Sequence, residues 1–257
     1  MPTHHSILGI MQARMSSKRL PGKVLKPLLG IPMFLRQIER IKRSKKIEEL
    51  IIATSVDETD DAIVNVCKAQ HLKYFRGSLH DVLDRYYQAA IRHEPKHVVR
   101  LTADCPLTDP IMIDTVIDYH IHGHYDYTNN FLTPTYPYGL DAEIMTLDAL
   151  KLAWQEAKLP SEREHVTLFL YQHPKRFRIG HVKNDKDLSH LRFAVDEPDD
   201  FLFINTIYEA LYPKNSAFTT DDILDFLDKN PTLTQLNSHF NRYAGLEKSF
   251  LEDQAYT

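Results

Sequence analysis

Short apolar runs alternate along this chain with stretches in which apolar residues recur every three or four positions. Ile7–Met11 is an uncharged, mostly apolar run with polar residues on either side, the pattern of a strand buried on both faces. Gln12–Lys23 has neither helical nor strand periodicity and is predicted to be loop. After Pro32, the residues Phe34, Leu35, Ile38 and Ile41 share one helical face. Leu50–Thr54 reads as a second strand, and a helix begins at Thr59 with Ile63, Val66 and Cys67 turned inward. Lys73–Arg76 is a short third strand, followed by a helix over Asp81–Arg92 with Val82, Tyr86 and Ala89 on one face. His97–Thr102 is a fourth strand, and Pro110 opens a helix running to about His122.

Strand and helix in repeated alternation predict an α/β fold of three layers, α/β/α, around a mostly parallel sheet. Beyond residue 122 the pattern is less regular. Tyr127–Leu140 is rich in Asn, Thr, Tyr and Pro and is predicted loop. Glu143–Thr146, Phe177–Val182 and Phe193–Val195 are predicted strands; Leu147–Lys158, Glu164–Gln172, Pro198–Leu211 and Thr220–Asn230 are predicted helices, the last stopped by Pro231. The expectation is one domain over residues 1–257, with an inserted region at about 127–190 and a helical extension at about 217–257.

Composition narrows the function classes. With 257 residues and 43% hydrophobic content, the chain can bury a full core. A net charge of −4 and a pI near 6.4 argue against nucleic acid as partner. Cys67 and Cys105 are too few for a disulfide framework, which predicts a reduced, cytoplasmic setting. No run approaches the ~18 apolar residues of a membrane span. The basic stretch Arg36, Arg40, Lys42, Arg43, Lys45 and Lys46 is predicted to be a solvated face. His120, His122 and His124 are predicted to be a surface cluster, since a helix end at Gly123 spoils the geometry of a metal site. Cys105 and Trp154 are expected to be packed residues.

The candidate chemistry lies where strands end. Ligands of open parallel sheets bind beyond the carboxyl ends of the strands. There the first strand runs into Gln12-Ala13-Arg14-Met15-Ser16-Ser17-Lys18-Arg19-Leu20-Pro21-Gly22-Lys23, with four cations in one loop. Guanidinium groups grip phosphate bidentately and lysine adds a point charge, while Ser16, Ser17 and backbone N–H groups near Gly22 supply neutral donors. Neither GxxxxGK[ST] nor GxGxxG is present. The plainer alternative is a solvated basic loop. Asp104 falls just past the fourth strand, where one carboxylate plus substrate phosphate oxygens suits Mg²⁺; the alternative is a turn cap. Asp196, in Val195-Asp196-Glu197-Pro198, is either a second metal ligand or a helix N-cap.

RMSSKRLPGK, ATS, FRGSLHDVLDRYYQA, RLTADCPLTDP, YPYGLDAE, SEREHVT and LSHLRFAVDEPDDF, in that order, resemble the bacterial cytidylyltransferases called spore coat polysaccharide biosynthesis protein F. That group is similar, more distantly, to the enzymes that make CMP-Kdo and CMP-sialic acid. The resemblance covers roughly residues 6–211. It implies a Rossmann-like sheet with an inserted dimerisation and acceptor region, hence a homodimer, and an Mg²⁺-dependent transfer of CMP from CTP to an acidic sugar or sugar phosphate with release of pyrophosphate. By position it implies triphosphate binding by Arg14, Ser16, Arg19 and Lys23, and metal binding by Asp104 and Asp196. Base and ribose fall to Thr54, Ser55, Arg76, Gly77, Ser78 and Asp81. The acceptor falls to Tyr136, Gly139, Asp141, Glu143, Arg163, His165 and Arg192. Arg14, Lys23 and Asp104 are the expected catalytic group. A guanylyl- or uridylyltransferase, a glycosyltransferase and a non-catalytic nucleotide-binding protein stay open as alternatives.

Overall fold

A computed structural model describes residues 6–256; Met1–His5 and Thr257, which the single-domain expectation also spans, lie outside the described residues. Nine strands and ten α-helices follow in chain order among the described residues: β1 (Ile7–Gln12), β2 (Pro27–Leu28), β3 (Ile31–Pro32), α1 (Met33–Ile41), β4 (Glu49–Ser55), α2 (Asp61–Ala69), β5 (Lys73–Gly77), α3 (Val82–Ile91), β6 (His97–Thr102), α4 (Pro110–Gly123), β7 (Tyr127–Asn129), β8 (Glu143–Thr146), α5 (Leu147–Glu156), α6 (Pro160–His165), α7 (Leu168–Gln172), β9 (Ile179–His181), α8 (Pro198–Leu211), α9 (Thr220–Lys229) and α10 (Ala244–Gln254).

Seven strands form one sheet in the order β5-β4-β1-β6-β8-β7-β9. The strands β5, β4, β1 and β6 are parallel neighbours, with Ile10 beside Ile51 on one side and Arg100 on the other. β8 runs against both β6 and β7, and β9 is parallel to β7. The fold is therefore α/β with a mostly parallel sheet, as the alternating pattern predicts. Alternate residues of β1 serve opposite layers. Leu8 and Ile10 pack with Val82, Tyr86 and Leu150 of the helices on one face, and Ile7 and Met11 pack with Phe34, Ile38, Ile113 and Val116 on the other. A third cluster, including Met33, Phe193, Phe203, Ile207, Tyr208, Ile223 and Leu227, seats α8 and α9 beside the hairpin β2–β3.

Several predicted elements differ in the structure. Tyr127–Asn129 is a strand, not loop: all three residues are buried and pair on both sides, so sheet neighbours override the poor strand propensity of Asn. Together with β8 and β9 it makes the region at about 127–190 part of the main sheet. Phe193–Val195 joins no strand; its neighbour Arg192 makes a single bridge to Tyr138. The helix expected over Glu164–Gln172 is two short helices, broken where Val166 takes φ 60°. The basic stretch is only partly solvated. Arg40 is buried and donates to the carbonyls of Thr108 and Phe218 at 2.8 and 3.0 Å. His120 is likewise buried, against the expected surface cluster, and bonds His97 and Thr128 at 3.1 and 3.0 Å. Both keep their polar groups satisfied, which is what makes their burial tolerable. Trp154 is half-buried, stacked on Tyr87 with a 4.3 Å centroid separation. Among the described residues, no helix is long and apolar enough to cross a membrane.

Candidate active site

The loop after β1 is shaped by a buried carboxylate. Asp60 accepts from the Met15 amide at 2.7 Å through one oxygen and from the Ser55 amide and hydroxyl through the other. The ends of β1 and β4 are thereby tied together, and the loop is held over the carboxyl edge of the sheet. Gly22 closes it at φ 68°, a left-handed conformation glycine adopts without penalty. The next residue, Lys23, is thereby turned inward to a nearly buried position.

There its ammonium meets both candidate metal ligands. Lys23 Nζ donates to Asp104 Oδ2 and Asp196 Oδ1, each at 2.9 Å, and to the Val195 carbonyl at 2.7 Å. Its three N–H donors are then all in use. Two backbone features hold this triad. The Val195 amide donates to the Asp104 carbonyl at 2.8 Å, which fastens the late segment to the end of β6. The Asp200 carboxylate accepts from the amides of Asp196 and Glu197 at 2.9 Å and from Arg192. Asp200 thus satisfies the amides at the start of α8, and the Asp196 carboxylate is left to face Lys23, Arg19 and Arg192. Burial by itself pulls the Lys23 ammonium down, but the two carboxylates outweigh it and the net shift is upward. Burial likewise works to raise Asp104, and the Lys23 charge and Thr102 hydroxyl reverse it, holding the carboxyl at about 2.

A cavity of about 1010 Å³ opens above this triad. The loop after β1 lines it with Arg14, Ser16, Ser17, Lys18, Arg19 and Lys23; Leu79, His80, Asp81 and Arg85 form another wall; Lys158, Pro160, Arg163 and Glu164 a third. Eight of its side chains are Lys or Arg against five Asp or Glu. In a chain of net charge −4 that local surplus of cations marks a polyanion site. Asp104 and Asp196 sit on its floor. Their oxygens converge on one nitrogen, so the donor set fits Mg²⁺, which takes one or two carboxylates and completes its shell with water and phosphate. Among the described residues, no three His, Cys, Asp or Glu side chains gather as a self-sufficient metal cage. Cys105 is packed beneath, its thiol pushed well up by burial and by Asp104, which removes it as a nucleophile.

Of the other expected site residues, Asp81 and Arg163 are brought together across the cavity, with Arg163 Nη2 at 2.6 Å from Asp81 Oδ2. Thr54 and Ser55 are buried within β4. Arg76 is spent on the carbonyls of Ser55 and Asp57 and on Asp61. Gly77 packs tightly against Arg85, and Ser78 accepts from the Asp81 amide at the start of α3. These five stand behind the cavity wall. Glu143 is inside the sheet, bonded to Arg100, Tyr127 and Thr167. His165 pairs with Ser249 at 2.8 Å. Gly139, at φ 104°, lets the chain pass so close that a Cβ would lie 2.4 Å from the Ala194 amide nitrogen. Tyr136 is half-buried.

Asp141 and Arg192 belong to a second polar cluster that the sequence reading did not assemble. The guanidinium groups of Arg192 and Arg242 both approach the Tyr138 ring, each 5.1 Å from its centroid. Asp141 lies 3.9 Å from Arg242, and burial raises its carboxyl to about 6. Arg85, Lys158, Tyr138, Arg242 and the α10 residues were not anticipated: Arg85 and Tyr138 lie inside strings that carry the resemblance but have no distinguishing chemistry of their own, and the others lie in no motif.

Fold and site together define an α/β protein with two aspartates at the carboxyl edge of its sheet, beneath a cation-rich cavity. The cytidylyltransferase family model matches residues 8–240, and the chain belongs to that family. It is 38% identical to an uncharacterised protein of Methanocaldococcus jannaschii, over 91% of this chain and 95% of that one. It is 32% identical to the spore coat polysaccharide biosynthesis protein SpsF of Bacillus subtilis, over 88% and 96% respectively. A solved cytidylyltransferase structure from Leptospira borgpetersenii superposes with a TM-score of 0.86 at 30% identity, covering 93% of this chain and all of that one. The chain is a nucleotidyltransferase by family.

Proposed function

We propose that the protein transfers CMP from CTP to an acidic sugar or sugar phosphate, with Mg²⁺ and release of pyrophosphate, in the building of a surface polysaccharide. The observation that carries this reading is Lys23 holding Asp104 and Asp196 together on the floor of a cation-lined cavity. The family and the spore coat relative support the base and the pathway class.

In this reading the triphosphate lies along the loop after β1. Arg14, Ser16 and Arg19 bind its β- and γ-phosphates and neutralise the departing pyrophosphate. Lys23 contributes a charge close to the α-phosphate, and direct contact there exchanges one of its three present partners. Asp104 and Asp196 would hold the Mg²⁺, which would supply charge neutralisation at the α-phosphate. Asp81 and Arg163 border the nucleoside end; Thr54, Ser55, Arg76, Gly77 and Ser78 keep that wall in shape. The acceptor enters beside Tyr136, Gly139, Asp141 and Arg192, with Glu143 and His165 supporting from behind. Its oxygen forms a bond to the α-phosphorus as the bond to pyrophosphate breaks, so positioning and charge neutralisation carry the rate. A cytoplasmic homodimer is part of the same reading.

The test is pyrophosphate release from CTP, GTP, UTP and ATP with Mg²⁺ and a panel of 2-keto-3-deoxy sugar acids and sugar 1-phosphates. CTP with an acidic acceptor is expected to turn over. Equal use of all four nucleotides, or use of GTP or UTP alone, overturns the cytidylyl assignment.

A further inference from the structure

The last helix is held to the protein by polar contacts. Asp253 accepts from the Ser161 amide at 2.9 Å and from its hydroxyl at 2.5 Å. The Ser249 hydroxyl meets His165 Nε2 at 2.8 Å and donates to Glu164 at 3.1 Å. Leu251, by contrast, is 65% exposed. With Ser249 and Asp253 turned to α6, the rotation of α10 is set. Gly245, Lys248 and Glu252 then recur at three- and four-residue steps on the adjoining stripe, and all three line the cavity. The family model stops at residue 240, so this wall lies outside what the family match describes.

Lys248 pairs with Glu252 at 3.1 Å, an exposed helical pair of small energetic weight, and the Glu164 carboxylate also acts on its charge. Lys18, from the loop after β1, lines the same cavity. Two ammonium groups on the walls of one cavity offer a multivalent anion two point charges to bind between.

We propose that Lys248 is a nucleotide-binding residue: with Lys18 it grips the terminal phosphates of the triphosphate, and afterwards the pyrophosphate, so that α10 completes the active site. This rests on the nucleotidyl-transfer reading. The test measures KM and kcat for CTP, and binding of inorganic pyrophosphate by calorimetry, in the wild type, Lys248→Ala, Lys248→Arg and Leu251→Ala. Lys248→Ala is expected to raise the KM and weaken pyrophosphate binding about 10-fold with kcat nearly unchanged. Lys248→Arg should restore most of both, and Leu251→Ala, on the far side of the helix, should change neither. Wild-type KM and pyrophosphate affinity in Lys248→Ala overturn the inference while leaving the nucleotidyl-transfer reading intact. A wild-type protein that binds neither pyrophosphate nor any nucleoside triphosphate overturns that reading as well.

Discussion

A lysine ammonium between two aspartates explains why residues 81 and 173 positions apart from it in sequence act together. The Lys23 charge keeps Asp104 ionised although it is partly buried, with its carboxyl held at about 2. Because that value is depressed, the stabilisation is complete above the unfolded value of about 4 and is lost as the pH falls toward 2. Asp104→Ala should lower kcat by about 10²–10³-fold or more with a smaller effect on CTP binding, since the charge it arranges matters most in the transition state. Steady-state kinetics and CTP titration of the variant check this; full activity would remove Asp104 from the metal site. Lys23→Ala leaves two carboxylates facing each other and should raise the KM for CTP as well as slow turnover. Unchanged kinetics would break the argument for the loop after β1. Lys23, Asp104 and Asp196 were all legible as candidates: Asp104 lies just past the strand His97–Thr102, Asp196 follows the apolar run Phe193–Val195, and Lys23 closes the basic loop after β1. That they touch was not, because no sequence pattern states the distance between two strand ends.

At the scale of elements, α8 begins on a carboxylate that does two tasks. Asp200 closes the first turn of the helix and binds Arg192, whose other carboxylate partner is Asp196. Asp200→Ala should destabilise the fold by about 3–5 kcal/mol, because it removes the main partner of a buried guanidinium and leaves the first amides of α8 unmet. It should also lower activity by loosening Asp196. Denaturant unfolding together with kinetics checks both, and a variant of unaltered stability would show that Arg192 finds another partner. Long elements were readable from periodicity: the helix over Pro198–Leu211 and the strand over His97–Thr102 match their predicted bounds. Short ones were not. β7 owes its three residues to strand neighbours on both sides, and the break at Val166 is a local backbone conformation in a stretch whose composition reads as helix throughout.

At the scale of the whole molecule, the two layers are clamped to the sheet by buried polar residues as well as by apolar ones. His120 on α4 bonds His97 on β6 and Thr128 on β7. Burial, helped by His97, lowers its pKa from 6.5 to about 3. The unfolded chain then binds more protons than the folded one across that window, so folding stability should rise with pH between about 3 and 6.5. Replacing His120 with Gln should flatten that slope, at some loss of stability at neutral pH. Unfolding free energies measured at several pH values test this, and an unchanged slope in the variant would assign the dependence to other groups.

Sequence by itself determined the layered α/β plan, the position of the site at the carboxyl edge, and the residue types that a polyphosphate and a divalent cation require. These follow from periodicity and from chemistry carried within a dozen neighbouring positions, which report burial and local conformation directly. Tertiary structure alone decided that β8 runs against its neighbours, that Asp60 braces the loop after β1, that two guanidinium groups meet the Tyr138 ring, and that α10 walls the cavity. Each of those depends on residues far apart in the chain meeting in a particular orientation, and that orientation is set by how the whole core packs.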